Sequence, residues 1–297
     1  MAAESGTPGA GRRLAVLGAG VMGSGIAALA VGHGVAVSLI DPDRQRLDAA
    51  PASVDHQVRT ARLMGALPDE AVPGALVTCP SLADLPTADG TAPTAVIEAV
   101  TEDADAKAKV LAEVSALVAP GTPIISNTSS IPIDELALAM ARPVDLIGTH
   151  FMNPPYLIRT VEVIRGTHTG EATLEALRAL LAALHRQPIV VRDAPGFVTS
   201  RILHPMINDA VRVVAAGTAS AESVDGLMRG CLGHPTGPLR TADLIGLDNL
   251  VDSLWVLHRR TGDEGCRPCD VLLEMVRAGH LGRKSGRGFY EYEGEQA

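Results

Sequence analysis

The stretch GTHFMNPPYLIRTVEVI, residues 148–164, sets His150 at the end of one apolar run and Glu162 inside the next, with a double-proline turn between them. Two adjacent strands joined by such a turn bring a carboxylate to an imidazole. A carboxylate on one ring nitrogen fixes the tautomer and leaves the other to take a proton, the arrangement wanted in a general base for alcohol oxidation. A structural ion pair is the alternative reading, because buried pairs also occur without catalysis.

Two further clusters carry chemistry. GAGVMG (18–23) fits G-x-G-x-x-G, with an apolar strand before it, a helix after it and Asp41 closing the next strand. Gly18 permits a tight turn, Gly20 lets the amides around Val21 and Met22 approach a pyrophosphate at the helix start, and Gly23 allows close packing on the strand. Asp41 is placed to accept from a ribose 2′-hydroxyl, so NAD is expected over NADP. Its plainer reading is a turn residue before Pro42, and Arg44 leaves some room for NADP. In ISNTSSIPIDELA (125–137), Asn127, Thr128, Ser129 and Ser130 follow a strand's carboxyl end, where ligands gather in open α/β sheets. Helix capping by Ser130 or Asp134 explains the same residues without a ligand.

These groups need a scaffold of alternating strands and helices. RLAVLGAGVMGSGIAALAVGHGVAVSLIDPD reads as a βαβ unit ending at Asp41, and further apolar strands fall at 94–100, 122–127, 144–151, 159–164 and 187–192. Continuous apolar strands between helical segments predict a sheet covered on both faces, hence an α/β, doubly wound, mostly parallel Rossmann domain. Leu174, Leu177, Leu181 and Leu184 mark a helix feeding the last strand. After Asp193 the pattern turns helical: Val198, Ile202, Met206, Ala210 and Val213 recur at helical spacing, and no strand-like run returns until GRGFYEYEG. The expected organisation is a loose Gly/Pro-rich tail over 1–12, a dinucleotide-binding domain over 13–193 and an all-helical domain over 194–297.

At 297 residues and 46% hydrophobic, the chain can bury two ordinary cores. A net charge of −9 with no Lys/Arg block excludes a general nucleic-acid binder, which needs a cationic face. Gly, His and charges interrupt every apolar run, so no membrane span is expected, and MAAESGTPGAGRR lacks an apolar leader; a cytoplasmic protein is the expectation. Of Cys79, Cys231, Cys266 and Cys269, the CRPC pair has metal-like spacing but no second pair to close a site. Reduced thiols and no metal are expected.

GAGVMGSGIA, VIEAVTED, SNTSS, HFMNPP, VEVI, PGFVTSRIL, HPTGPLRTADLIGLD and LGRKSGRGFYEY, in this order from about Arg13 to Tyr292, resemble the 3-hydroxyacyl-CoA dehydrogenase family, particularly its 3-hydroxybutyryl-CoA dehydrogenase branch. The resemblance implies an NAD-binding amino domain and a helical carboxyl domain that forms a homodimer and helps close the substrate cleft. It implies oxidation of the 3-hydroxyl of an acyl-CoA thioester, with the catalytic His and Glu on His150 and Glu162 and the active-site Ser on Ser129. Cofactor contacts are implied at Gly18, Gly20, Gly23, Asp41, Glu102, Lys107, Ser129 and Asn153.

There are departures from the family pattern. The family's active-site Asn before an Arg is Ser200 here, and a hydroxyl cannot span the gap of an amide. The lysine-rich helical pair that meets CoA phosphates in relatives is lysine-free after Asp41, leaving Arg44, Arg46, Arg59 and Arg62 as substitutes. These features, with Arg240, raise the alternative of a hydroxyacyl or glyceryl thioester on an acyl carrier protein in polyketide extender-unit biosynthesis. A non-catalytic NAD-binding scaffold is the alternative of another class. NPPY also resembles a crystallin-like branch of sugar-acid dehydrogenases. The β-hydroxyacid dehydrogenases would need a catalytic lysine in the helical region, where only Lys284, in the terminal segment, is present.

Overall fold

The computed structural model describes residues 11–292 except 69, 70 and 89, so the first ten residues of the expected tail lie outside the described residues. The chain divides into two compact units between Asp193 and Ala194.

The first unit alternates strand and helix: β1 (Arg13–Leu17), α1 (Val21–Gly32), β2 (Ala36–Ile40), α2 (Arg44–Leu63), β3 (Leu76–Cys79), β4 (Ala95–Glu98), α3 (Ala104–Leu117), β5 (Ile124–Ser126), α4 (Ile133–Ala137), β6 (Leu146–His150), β7 (Thr160–Arg165), α5 (Glu171–Ala183) and β8 (Gln187–Arg192). The eight strands form one sheet in the order β3-β2-β1-β4-β5-β6-β7-β8. Every neighbouring pair is parallel except β6 and β7. The connection 151–159 is too short for the helical crossover that a parallel partner requires, so the chain reverses there.

The apolar runs explain the burial. β1 and β4 are buried almost throughout, as central parallel strands must be. α1 consists of small residues and is buried from Gly23 to Gly32, so it packs closely on the sheet. Val16, Ile26, Leu39, Ile97, Ile125 and Leu177 belong to one continuous core. The edge strand β3 was not evident in the sequence: it is four residues long, with one buried position, and has Pro73, Gly74 and Pro80 around it.

The order in which strands fan out from β1 reverses between β1 and β4. A crevice opens at such a switch point, outside the carboxyl ends of the strands.

The second unit is helical: α6 (Thr199–Ala215), α7 (Ala221–Leu232), α8 (Pro238–Ile245), α9 (Leu247–Thr261) and α10 (Asp270–Arg277). Ile207, Leu250, Leu254 and Leu272 belong to its own core. Up to Tyr292, where the described residues stop, the strand-like ending has only isolated bridges, Gly282 with Arg287 and Arg287 with Glu291. Its backbone is held by a side chain: Asp243 accepts from the amides of Phe289 and Tyr290, each at 2.9 Å. Arg240 stacks over the Tyr290 ring at 4.1 Å, so this guanidinium has a packing role within the unit. No helix among the described residues is long and apolar enough to cross a membrane.

Candidate active site

The glycine turn sits at the carboxyl end of β1. Gly18 has φ of +101°, and a Cβ there would lie 2.6 Å from the Ala99 carbonyl oxygen, so only glycine fits. A Cβ on Gly23 would lie 1.8 Å from the Gly18 oxygen, whereas one on Gly20 would meet nothing within 4 Å. No side chain caps the first turn of α1, leaving the amide groups of Val21, Met22 and Gly23 to an external anion. Open space at Gly20 beside an uncapped helix start fits a pyrophosphate.

Asp41 follows β2 and is 5% exposed. Its Oδ2 accepts from the Ala19 amide at 2.7 Å and its Oδ1 from the Asp43 amide at 2.8 Å. The carboxylate therefore shapes both the glycine turn and the start of α2. Each oxygen retains a lone pair for a ribose hydroxyl.

A glutamate organises the serine cluster. Glu102 Oε1 accepts from Thr128 Oγ1 at 2.7 Å, from the Ser129 amide at 2.7 Å and hydroxyl at 2.9 Å, and from the Ser130 amide at 3.0 Å. Burial pushes this carboxyl up, but the Lys107 ammonium and the bonds from Thr128 and Ser129 outweigh it and hold Glu102 below its ordinary value. Lys107, an expected cofactor contact, is buried on α3. Its side chain has no exposed surface, and its ammonium lies 2.7 Å from Glu98 and 3.3 Å from Glu102. It positions Glu102 from behind. Glu98, also fully buried, accepts from Lys107, from the Val100 amide at 2.8 Å and from Ser126 Oγ at 2.5 Å. The reading of the sequence assigned Glu98 no part in the site. A glutamate within the buried run AVIEAV was the available signal, since a buried carboxylate demands partners.

His150 and Glu162 stand directly opposite each other on β6 and β7. The Nδ1 of His150 lies 3.1 Å from Glu162 Oε2, with the side chains 12% and 6% exposed. Asn127 Oδ1 accepts from the Phe151 amide at 3.1 Å, tying the serine loop to the end of β6. Thus β4, β5 and β6 deliver Glu102, Ser129 and His150 to one rim of the sheet. Asn153 is exposed in the connection that follows His150, and Ser200 lies in the second unit, on α6. Among the described residues no cluster of His, Cys, Asp or Glu is placed to hold a metal ion.

A Rossmann sheet with an anion-ready glycine turn and a histidine–carboxylate pair on the same rim defines a dinucleotide-dependent dehydrogenase. Residues 13–194 match 3-hydroxyacyl-CoA dehydrogenase, NAD binding domain, and residues 196–292 match 3-hydroxyacyl-CoA dehydrogenase, C-terminal domain. The chain belongs to the 3-hydroxyacyl-CoA dehydrogenase family: it is an NAD-dependent oxidoreductase acting on a CH–OH group, with NAD as its cofactor. It is 40% identical over 282 residues to the probable 3-hydroxybutyryl-CoA dehydrogenase of Deinococcus radiodurans, covering 94% of this chain and 100% of the relative. It is 40% identical over 286 residues to the 3-hydroxybutyryl-CoA dehydrogenase of Bradyrhizobium diazoefficiens, covering 95% and 96%. The crystal structure of (S)-3-hydroxybutyryl-CoA dehydrogenase from Ralstonia eutropha superposes with a TM-score of 0.83 at 38% identity, covering 95% of this chain and 99% of that one.

Proposed function

We propose that the chain oxidises the 3-hydroxyl of a short 3-hydroxyacyl-CoA such as 3-hydroxybutyryl-CoA, with His150 as the general base. The observation that carries this reading is the pairing of His150 Nδ1 with Glu162 across β6 and β7. A proton kept on Nδ1 and donated to Glu162 puts the lone pair on Nε2, which takes the hydroxyl proton. NAD supplies the acceptor for the hydride that leaves C3 as the C3–O bond becomes a carbonyl. Glu162 stabilises the imidazolium that results.

Ser129, whose hydroxyl donates to Glu102 at 2.9 Å in the free site, turns that donor to the reacting oxygen of the bound substrate, whose single proton is left for His150. Gly18, Gly20, Val21, Met22 and Gly23 cradle the pyrophosphate, Asp41 holds the adenosine ribose, and Glu102, Ser129 and Asn153 meet the nicotinamide side. Ser200 is a substrate-side contact standing where the family has Asn. These roles rest on position in the fold and on the family pattern.

The relatives named above carry CoA in their names, and nothing among them favours the carrier-protein alternative. The intact histidine–glutamate pair argues against a non-catalytic scaffold. A homodimer built on the helical unit agrees with its exposed apolar residues Ile202, Leu227 and Leu232. Cytoplasmic action agrees with four free cysteines.

The test is NADH formation by purified protein given NAD and 3-hydroxybutyryl-CoA, and separately a 3-hydroxybutyryl carrier-protein thioester. Turnover of the CoA thioester, with the carrier-bound form slower, supports the proposal. Exclusive use of the carrier-bound form overturns its choice of CoA, and no turnover of either overturns the activity.

A further inference from the structure

Glu98 is the only charged residue of β4. In register it stands between Leu17 of β1 and Ser126 of β5. Leu17 immediately precedes the glycine turn, and Ser126 immediately precedes Asn127 and the serine loop. One carboxylate therefore sits where the strand that leads to the dinucleotide and the strand that leads to Ser129 both end. Neither Glu98 nor Lys107 has any side-chain surface. Taking both charges out of water is costly, and an apolar pair of similar volume commonly serves a fold as well or better. Packing alone does not account for the pair.

Its bonds are directional. The same Oε1 that takes the Lys107 ammonium also takes the Val100 amide, and Oε2 takes the Ser126 hydroxyl. The backbone oxygen of Glu98 accepts from the Asn127 amide at 2.7 Å. The Ala99–Val100 peptide fixed in this way is the one that abuts the glycine turn, since a Cβ on Gly18 would lie 3.1 Å from the Val100 nitrogen. On the other side, the three protons of the ammonium are shared among Glu98 at 2.7 Å, the Val100 carbonyl at 3.3 Å and Glu102 Oε2 at 3.3 Å. The shortest bond goes to Glu98. Glu102, whose side chain is 35% exposed, is thus steadied by the ammonium while still facing the site.

We propose that Glu98 is a positioning residue for hydride transfer, holding the Lys107 ammonium back so that Glu102 presents Ser129 to the reacting groups. The inference deepens the dehydrogenase reading above and rests on its placing Glu102 and Ser129 on the nicotinamide side. Without the charge of Glu98, Glu102 is the one carboxylate left among the three acceptors of the ammonium. The ammonium then closes on Glu102 and draws it, with the serine loop, away from the cofactor.

The test is a double-mutant cycle on kcat for NADH formation from saturating NAD and 3-hydroxybutyryl-CoA, run well below the melting temperature of every variant. Glu98→Gln keeps the shape and an acceptor for Val100 but removes the charge. It should lower kcat about tenfold in the wild-type background, the size of one misplaced charged hydrogen bond, and less than about twofold in a Glu102→Gln background. The KM for the thioester should stay within about twofold, because Glu98 touches no part of it. Additive losses in the cycle overturn the proposal, as does a lower melting temperature with unchanged kcat, which marks a purely structural pair. Should Glu98→Gln fail to fold, Ser126→Ala takes its place: freeing Oε2 should lower kcat about threefold, and again only while Glu102 is present. Two other results strike the underlying reading instead: a wild-type protein that forms no NADH overturns the activity, and a Glu102→Gln variant with full kcat overturns the nicotinamide-side role of Glu102.

Discussion

Glu102 and Ser129 are joined twice, the carboxylate accepting from both the amide and the hydroxyl of the serine at 2.7 and 2.9 Å. One glutamate thus sets the position of a loop more than twenty residues away in sequence. Glu102→Ala should lower kcat/KM for the thioester about 10- to 100-fold by releasing Ser129, an effect of the size expected from one or two lost hydrogen bonds to a charged group. The acid dependence follows from the sign of its shift. The folded-state value lies below the ordinary 4.5, so the stabilisation is complete above that pH and is lost as the pH falls through the folded value. The difference in melting temperature between wild type and Glu102→Gln should narrow on acidification; a constant difference would contradict the assignment.

His150→Ala should reduce kcat by about 10²- to 10⁴-fold while NAD affinity, read by fluorescence titration, stays within about twofold. Glu162→Gln should reproduce most of that loss, because an amide no longer neutralises the imidazolium or dictates the tautomer. Turnover that survives both substitutions would remove the pair from the chemistry.

The glycine turn allows a sharper contrast. Gly20→Ala places a methyl group in open space, so the fold should melt as the wild type does while the KM for NAD rises at least about tenfold. Gly23→Ala drives a Cβ to 1.8 Å from the Gly18 oxygen and should lower the melting temperature itself. Equal thermal behaviour of the two variants would count against this account of the turn.

His33 lies at the end of α1, where burial, helped by the charges of His185 and Arg186, outweighs its bond to the Leu29 carbonyl and pushes it down to about 4. The unfolded chain therefore takes up a proton between pH 6.5 and about 4 that the folded chain refuses. Stability from this group is complete above 6.5 and falls by about 3 kcal/mol as the pH drops toward 4. His33→Leu should flatten that limb of a urea-midpoint profile against pH.

The histidine–glutamate pair was legible because its ingredients are local: two apolar runs, a turn too short for a crossover, and a period of two that puts both residues on one face. The division between units near Asp193 is marked in the same way by a change of texture at Pro195 and Gly196. Glu98 and Lys107 were not legible as a buried pair. Sequence shows a glutamate and a lysine at the edges of a strand and a helix, and only packing reveals that neither has surface and that the ammonium supports Glu102 from behind. β3 escaped notice because an edge strand of four residues lacks the continuous apolar run that betrays central ones.

The reversal of direction at β7 carries a cost in tolerance. Because side chains alternate across a pleated ladder, adding or deleting one residue between Thr160 and Glu162 would swing the acid to the far face and strand the imidazole. Length can drift in the bend from 151 to 159, but the three positions after it allow no such freedom.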